Sequence, residues 1–217
     1  MAKAELRSVA ALLAAVLAFG LCSATPVRAD DSIPKANAIE VFAGKATWTS
    51  FTNSIFEPWN NDMTNVGVAA LGYSHRFGSF NGITGLNTPS AFGDHLYIEG
   101  EVGTSKRFGD EDLFEVWGAA YIRYDNFPWN DYVYTTVAVN TGLSYLSEDS
   151  DFERTRDENH KTQQLLHYMG PEISIASPDN KNLELFIRWH HRSGVFGLFD
   201  GVYSGSTFLS GGVRVRF

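Results

Sequence analysis

The sequence predicts an all-β fold, an eight-stranded antiparallel transmembrane β-barrel behind a cleaved signal peptide. The first observation behind this prediction is an N-terminal segment with the charge and apolar pattern of an export signal. The second is a series of strand-sized stretches rich in aromatic and β-branched residues, separated by Gly, Asn, Asp and Pro. The third is a final stretch in which apolar and polar residues alternate up to Phe217.

The N-terminal segment is predicted to be a signal peptide covering residues 1–29. Basic residues precede an apolar run, residues 9–21, which is too short to span a bilayer as a helix. Val27 and Ala29 give the spacing that a signal peptidase needs, so we place cleavage after Ala29. A lipoprotein anchored through Cys22 is the alternative, but the residues just ahead of this cysteine do not fit the lipoprotein pattern.

The amino-acid composition excludes several functions for residues 30–217, which fit one domain. Removal of the signal peptide removes the only cysteine, which excludes disulfides, thiol nucleophiles and thiolate metal sites. The remaining 14 Lys and Arg residues against 24 Asp and Glu residues argue against nucleic-acid binding. His75, His95 and His167 are scattered over three predicted strands. We therefore expect neither a metal nor a cofactor.

Eight stretches of about ten to fifteen residues are predicted to be strands. Eight is the smallest usual number for a transmembrane barrel, and a tilted strand needs about nine to eleven residues to cross a bilayer. Ordinary globular strands have about five or six residues, so the length of these stretches favours a membrane. They cover residues 38–49, 63–78, 94–107, 113–124, 132–146, 165–177, 183–193 and 206–217.

The last predicted strand indicates which face is apolar. Because successive side chains alternate, Val213, Val215 and Phe217 share one face, while Arg214 and Arg216 share the other. This is the pattern of a lipid-facing wall around a polar lumen. A terminal aromatic residue on such a strand also resembles the insertion signal of outer-membrane barrels. A soluble lipocalin-like barrel is the alternative, but its apolar residues should point inward.

The charged residues on the inner faces are expected to pair with one another. Eight strands enclose little more than their own side chains, so these charges should form a polar plug without an open pore. The second predicted strand has small or apolar residues on both faces, so the sequence does not decide which of its faces meets lipid. The residues of the predicted plug are Glu99, Glu101, Glu115, Glu172, Glu184, Arg123, Arg188, Arg214 and Arg216.

The seventh strand carries a candidate catalytic pair. If both termini are periplasmic, this strand ends at the outer leaflet, and counting by twos from Leu183 places His191 and Ser193 on the lipid-facing side. Their Cβ atoms are then about 7 Å apart, so leaning side chains can meet. A serine hydroxyl becomes a strong nucleophile only when a base takes its proton, and a lipid-facing position would place such a pair against acyl-ester bonds, not soluble substrates. The alternative is that both are ordinary polar residues of the interfacial belt, which lies at the level of the lipid headgroups.

An eight-stranded outer-membrane barrel with His191 and Ser193 in these positions resembles the lipid A 3-O-deacylase (PagL-type) family. The resemblance implies a serine esterase of the bacterial outer membrane that acts on lipid A of lipopolysaccharide, with His191 as general base and Ser193 as nucleophile. In that family an acidic residue on the last strand assists the pair, whereas residues 205–208 contain no carboxylate here. Thr207 and Asp200 are the candidates to orient the imidazole.

The loops add further expectations. The family motif commonly continues with Asn after the serine, where this chain has Gly194, so backbone N–H groups near Gly194 are the candidate oxyanion donors. The apolar residues 195–199 predict either an acyl-chain docking lip or a loop folded over the barrel mouth. Arg192 is a candidate contact for lipid phosphate. The charged run 147–164 is expected to be a solvated loop. The long connection 79–93 suggests a misplaced strand boundary.

Two functions from different classes follow from these patterns. The first is the lipid A esterase described above. The second is a non-catalytic barrel of the opacity, adhesion or envelope-integrity kind, which the aromatic-rich loop 51–61 favours. Both place the chain in the membrane among outer-leaflet lipid. Pairing of two copies stays open, since no segment marks a dimer surface.

Overall fold

The computed structural model describes residues 34–217 and shows a closed barrel. Within these residues each strand pairs antiparallel with the next, and the last pairs with the first. This confirms the predicted eight-stranded antiparallel barrel. The predicted signal peptide lies outside the described residues, as does Cys22. The strands are β1 (Asn37–Thr47), β2 (Met63–Ser79), β3 (Leu96–Phe108), β4 (Phe114–Tyr124), β5 (Tyr134–Leu146), β6 (Leu165–Ser177), β7 (Asn180–Ser193) and β8 (Thr207–Arg216).

Short helices occupy the connections at both ends of the barrel. We call the end with the β1–β2, β3–β4, β5–β6 and β7–β8 connections the upper end, and the opposite end the lower end. The upper end carries α1 (Phe51–Phe56), a 3₁₀ turn (Pro58–Asn60) and α4 (Asp151–Arg156), and the lower end carries α2 (Phe80–Thr84) and α3 (Ser90–Gly93). No helix within residues 34–217 is long and apolar enough to cross a bilayer.

Side chains alternate between an apolar outer wall and a polar lumen. On β7, Leu185 and Ile187 are about half exposed on the outer wall, whereas Glu184 and Arg188 are buried inside. This is the two-residue period of a strand whose faces meet different surroundings. The face of β2 that was undecided from the sequence is settled, since Leu71 points outward.

The lumen contains a network of buried ion pairs. The Arg188 guanidinium lies 2.8 Å from the Glu40 carboxylate, 2.9 Å from that of Glu101 and 2.6 Å from that of Glu172. Arg214 joins the same network through Glu40 and Glu172. Buried charges need such partners, because an unpaired charge in a low-dielectric interior is costly. All nine residues of the predicted plug are buried. The sequence analysis missed Glu40, which lies on the inner face of β1.

The upper end of the lumen is closed by the β5–β6 connection. Phe152 of α4 packs against Val66, Val68 and Phe208 in a buried apolar cluster. Glu153 is also buried. The expectation that residues 147–164 form a solvated loop was therefore wrong for this part. The apolar inner face of β2 is explained in the same way, since its valines line the space that Phe152 fills.

The long connection at the lower end is a real feature. Residues 80–95 contain α2 and α3, so no strand boundary was misplaced there. Asn81 organises the segment, since its Nδ2 donates to Thr88 O at 3.1 Å and to Asp94 Oδ1 at 2.9 Å. The expectation of a boundary error was wrong, because side-chain hydrogen bonds to the backbone can order a long turn without extending a strand.

Candidate active site

His191, Ser193 and Thr207 lie together on the outer wall at the upper end. His191 and Ser193 are two residues apart near the end of β7, and Thr207 opens β8 directly opposite His191 in the register. Residues opposite one another in an antiparallel ladder share a face, so all three side chains belong to the outer wall. His191 is only 9% exposed, although Ile187 on the same face is 53% exposed. Something beyond the strands therefore covers the imidazole.

The hydrogen bonds of His191 define its tautomer. Nδ1 lies 2.8 Å from Thr207 Oγ1 and 3.0 Å from the backbone oxygen of Ser206. A carbonyl oxygen can only accept, so in the neutral ring Nδ1 carries the hydrogen. Among the hydrogen bonds of the described residues, none involves Nε2. The lone pair of Nε2 is thus free, which is the state that a general base requires.

Ser193 is close to His191 in the fold but is not hydrogen-bonded to it in the described structure. Its Oγ accepts the backbone N–H of Val195 at 3.1 Å. Across the ladder on β6 lies His167, whose Nε2 is 2.8 Å from Thr141 Oγ1. Ser193 therefore has one histidine along its own strand and a second on the neighbouring strand. The sequence analysis considered His167 only as a metal candidate, because strand register cannot be read from the sequence.

Asp200 lies away from the imidazole. Its carboxylate accepts a hydrogen bond from Gln163 Nε2 at 2.9 Å, and its backbone oxygen accepts one from Lys161 Nζ at 3.1 Å. Of the two residues considered as partners of His191, the structure brings Thr207 into contact and leaves Asp200 in the β7–β8 connection. Its contacts tie this connection to the β5–β6 connection.

Arg192 points into the lumen and is fully buried. Its guanidinium donates to Ser144 Oγ at 2.9 Å and to Gln164 O at 3.0 Å, and it pairs with Glu153 at 3.0 Å. The expectation that Arg192 contacts lipid phosphate was wrong. The reason is strand alternation, which turns the residue between His191 and Ser193 to the opposite face.

The segment that leads into Thr207 is held from inside the barrel. Ser206 Oγ donates to Glu153 Oε1 at 2.6 Å and accepts from Arg107 Nη2 at 3.0 Å. Both partners are buried. The backbone oxygen of this same Ser206 receives the hydrogen bond of His191 Nδ1. The ion-pair network in the lumen thereby fixes the position of one hydrogen-bond acceptor of the imidazole. Residues behind a ligating or catalytic histidine commonly orient its ring in this way.

The connection after Ser193 exposes apolar side chains. Phe196 is 89% exposed and Leu198 77% exposed, so neither side chain packs against the barrel. The N–H of Gly194 donates to Ser204 O at 3.1 Å, so this candidate oxyanion donor is engaged. A Cβ at Gly194 would clash with the backbone oxygen of Val202, which excludes the Asn found in the resembled family.

Helix α1 covers the imidazole from outside. The Phe51 ring stacks on the His191 ring with centroids 4.2 Å apart and planes 14° apart. One helical turn further along α1, the backbone oxygen of Ser54 accepts the Trp189 Nε1 hydrogen at 2.9 Å. The β1–β2 connection therefore lies against the outer wall of β7. Nothing in the sequence marked this contact, since the partners are about 140 residues apart. Among residues 34–217 no group of three His, Asp or Glu side chains could hold a metal ion.

Comparison with known proteins supports the fold. No protein-family model and no curated protein matches the sequence. The crystal structure of the outer membrane enzyme PagL is similar, with a TM-score of 0.55 and 12% identity over 83% of this chain and 99% of that chain. Neisserial surface protein A gives 0.47 and 16% over 83% and 97%, and a designed transmembrane β-barrel gives 0.46 and 12% over 86% and 98%. At these identities the likeness shows an eight-stranded barrel and nothing further.

Proposed function

We propose that this protein is an outer-membrane serine esterase of the lipid A deacylase type, which removes an ester-linked acyl chain at the outer leaflet. The observation that carries this proposal is the placement of His191 and Ser193 on the apolar outer wall, with Nδ1 held by Thr207 and Ser206. A serine on the outer wall at the upper end would face lipid, not a soluble substrate, and Phe51 covers the histidine beside it.

In the proposed reaction, Nε2 of His191 takes the proton of Ser193 Oγ as this oxygen attacks the ester carbonyl. The tetrahedral intermediate breaks the bond to the sugar oxygen, which leaves with the proton from Nε2. Water then hydrolyses the acyl-serine with Nε2 as base again, and free fatty acid and Ser193 are formed. Before the attack, Ser193 Oγ must turn from the Val195 N–H towards Nε2.

The missing carboxylate sets the expected rate. A buried Asp that orients the histidine of a serine protease contributes about 10⁴-fold to kcat. Thr207 supplies a neutral oxygen in its place, which orients the ring but stabilises the imidazolium less. We therefore propose a slow esterase in which Thr207 orients the imidazole.

A non-catalytic barrel is the second candidate. The observation that favours it is the state of the pair, since Ser193 Oγ is bound to Val195 and Phe51 covers His191. In that case the exposed loops of the upper end would contact other surfaces.

The test is mass spectrometry of lipid A from a deacylase-free Gram-negative host that expresses the protein. We expect the loss of one hydroxyacyl mass with the wild type, and with the control Ser204→Ala in the same connection. The loss should vanish with Ser193→Ala at an equal amount of folded barrel. Unchanged lipid A in all three strains, and again with purified protein in detergent, would support the non-catalytic barrel.

A further inference from the structure

The β1–β2 connection, residues 48–62, lies along the outer wall, and we call it the outer arm. Ser54 in the middle of α1 is fully buried, because it rests against β7 where Trp189 Nε1 donates to its backbone oxygen. Phe51 is stacked on His191. By contrast, Phe152 of the β5–β6 connection enters the lumen. The two connections thus leave the upper end in different directions, and only the outer arm reaches the apolar surface.

Several backbone polar groups of the outer arm are satisfied within the arm. Ser54 N donates to Ser50 O at 2.8 Å, and Glu57 N donates to Asn53 O at 2.8 Å. Ser50 Oγ caps the helix by accepting Asn53 N, and Ser54 Oγ donates to Phe51 O at 2.7 Å. Non-strand backbone at a membrane surface needs such internal partners, because lipid offers none.

The face of the outer arm that points away from the barrel is aromatic. Phe56 is 74% exposed and Trp59 77% exposed, which are large apolar areas to leave in water. Two carboxylates lie in the arm, and that of Glu57 accepts Asn60 Nδ2 at 3.2 Å. A mixture of aromatic rings with a few polar groups fits the interface between headgroups and acyl chains better than the hydrocarbon centre.

The apolar surface is continuous with the outer wall. The arm rests on β7, whose outer wall exposes Ile187 and Leu185, and the β7–β8 connection that follows this strand exposes Phe196 and Leu198. A lipid that contacts the strands therefore also meets Phe56 and Trp59. This continuity identifies the occupant as lipid, because a second protein would have to displace the same acyl chains.

We propose that the outer arm is an interfacial membrane-binding surface, in which Phe56 and Trp59 lie among the lipids of the leaflet around the upper end. The inference rests on the membrane location in the proposed function and does not depend on catalysis. It also means that the imidazole of His191 is covered by a segment that lipid itself holds in place.

The test uses nitroxide labels on single cysteines in a Cys22→Ser background, with the barrel in vesicles of phosphatidylethanolamine and phosphatidylglycerol. Phe56→Cys and Trp59→Cys report on the arm. Val139→Cys, on the outer wall of β5, marks lipid, and Glu158→Cys, exposed in the β5–β6 connection, marks water. Accessibility to oxygen and to a water-soluble nickel chelate is measured by power saturation, and heat-dependent gel mobility verifies folding.

We expect the labels at positions 56 and 59 to be accessible to oxygen and several-fold less accessible to the chelate than the label at position 158. If positions 56 and 59 are as accessible to the chelate as position 158 while position 139 lies in lipid, the outer arm does not bind the membrane, although the barrel spans it. If position 139 is also open to the chelate in folded protein, the membrane location itself fails, and the inference fails with it.

Discussion

The two nitrogens of His191 differ in a way that the fold imposes. Nδ1 faces two oxygen acceptors, Ser206 O and Thr207 Oγ1, and one of them cannot donate. The ring is therefore oriented even without a carboxylate. What a neutral acceptor cannot do is balance the charge that the ring gains when it takes a proton. In the resembled family one acidic residue both orients the histidine and stabilises its positive charge. In this chain the oxygens of Ser206 and Thr207 orient the ring but carry no charge.

Replacement of Thr207 by Val measures the orienting contribution. The variant keeps the shape of the side chain and removes the Oγ1 partner, while Ser206 O remains. We expect the deacylation rate constant in detergent to fall about tenfold, which corresponds to one neutral hydrogen bond, with little change in KM. Thr207→Ser keeps the hydroxyl and should retain most of the rate. Equal rate constants for Thr207→Val and the wild type would show that Thr207 does not take part in the proposed reaction.

Asp157 fastens the β7–β8 connection. Its Oδ2 accepts the backbone N–H of Tyr203 at 2.6 Å and of Ser204 at 2.9 Å, and its Oδ1 accepts Asn159 N at 2.9 Å and Lys161 N at 3.3 Å. Burial raises the pKa of this carboxyl, but the backbone hydrogen bonds outweigh burial and hold the pKa below its ordinary value.

The lowered pKa of Asp157 predicts how stability depends on pH. A group whose pKa is lower in the folded than in the unfolded chain stabilises fully above its unfolded pKa of about 4, and this stabilisation is lost as pH falls through the folded pKa. We expect Asp157→Asn to lower the urea midpoint at pH 7, with the difference from wild type shrinking below about pH 4. A difference that is constant with pH would show that the charge plays no part.

At the scale of elements, helix α1 and strand β7 form one unit around His191. Phe51 and Trp189 are the contacts that join them. We expect Phe51→Ala to increase the rate at which diethyl pyrocarbonate modifies His191, measured by peptide mass spectrometry, because the stacked ring no longer covers the imidazole. Phe56→Ala, on the exposed side of the same helix, is the matched control. An unchanged rate in both variants would mean that reagent reaches the imidazole by another side.

Helix α4 and strand β2 form the second such unit, at the mouth of the lumen. Phe152 fills the space between Val66, Val68 and Phe208. Phe152→Ala should lower the free energy of unfolding by about 3 to 5 kcal/mol, the usual effect of a large cavity, as read from urea titration of the barrel in vesicles. Phe196→Ala removes an equally large ring that is 89% exposed, and should change stability by less than about 0.5 kcal/mol.

At the scale of the whole molecule, a network of ion pairs shares the lumen with two buried apolar clusters. Arg188 touches three carboxylates and is fully buried. We expect Arg188→Met to lower the free energy of unfolding by about 3 to 5 kcal/mol, because the carboxylates that remain have lost a buried cation. The control Arg154→Met removes an arginine whose ion pairs are half exposed, and should cost at most about 1 kcal/mol. Similar effects of both substitutions would contradict the plug as a source of stability.

The sequence alone determined the strands, their number and most of their faces. It did so because strand alternation is local: a period of two along β7 is enough to turn Arg188 inward and to place His191 on the same face as Ile187. Nine acidic and basic members of the plug were predictable for the same reason, whereas Glu40 was missed. The outward placement of Ser193 and the end of the barrel at which it lies needed only counting.

Only the tertiary structure decided what surrounds the pair. These surroundings depend on contacts between distant parts of the chain. Phe51 stacks on His191, and Arg107 and Glu153 bind Ser206. Asp200 binds Gln163 and does not contact the imidazole. Strand register and loop direction set these contacts, and both arise from barrel closure and packing, which leave no local period in the sequence. Alternation fixes the side of the wall on which a residue lies, whereas closure fixes its neighbours.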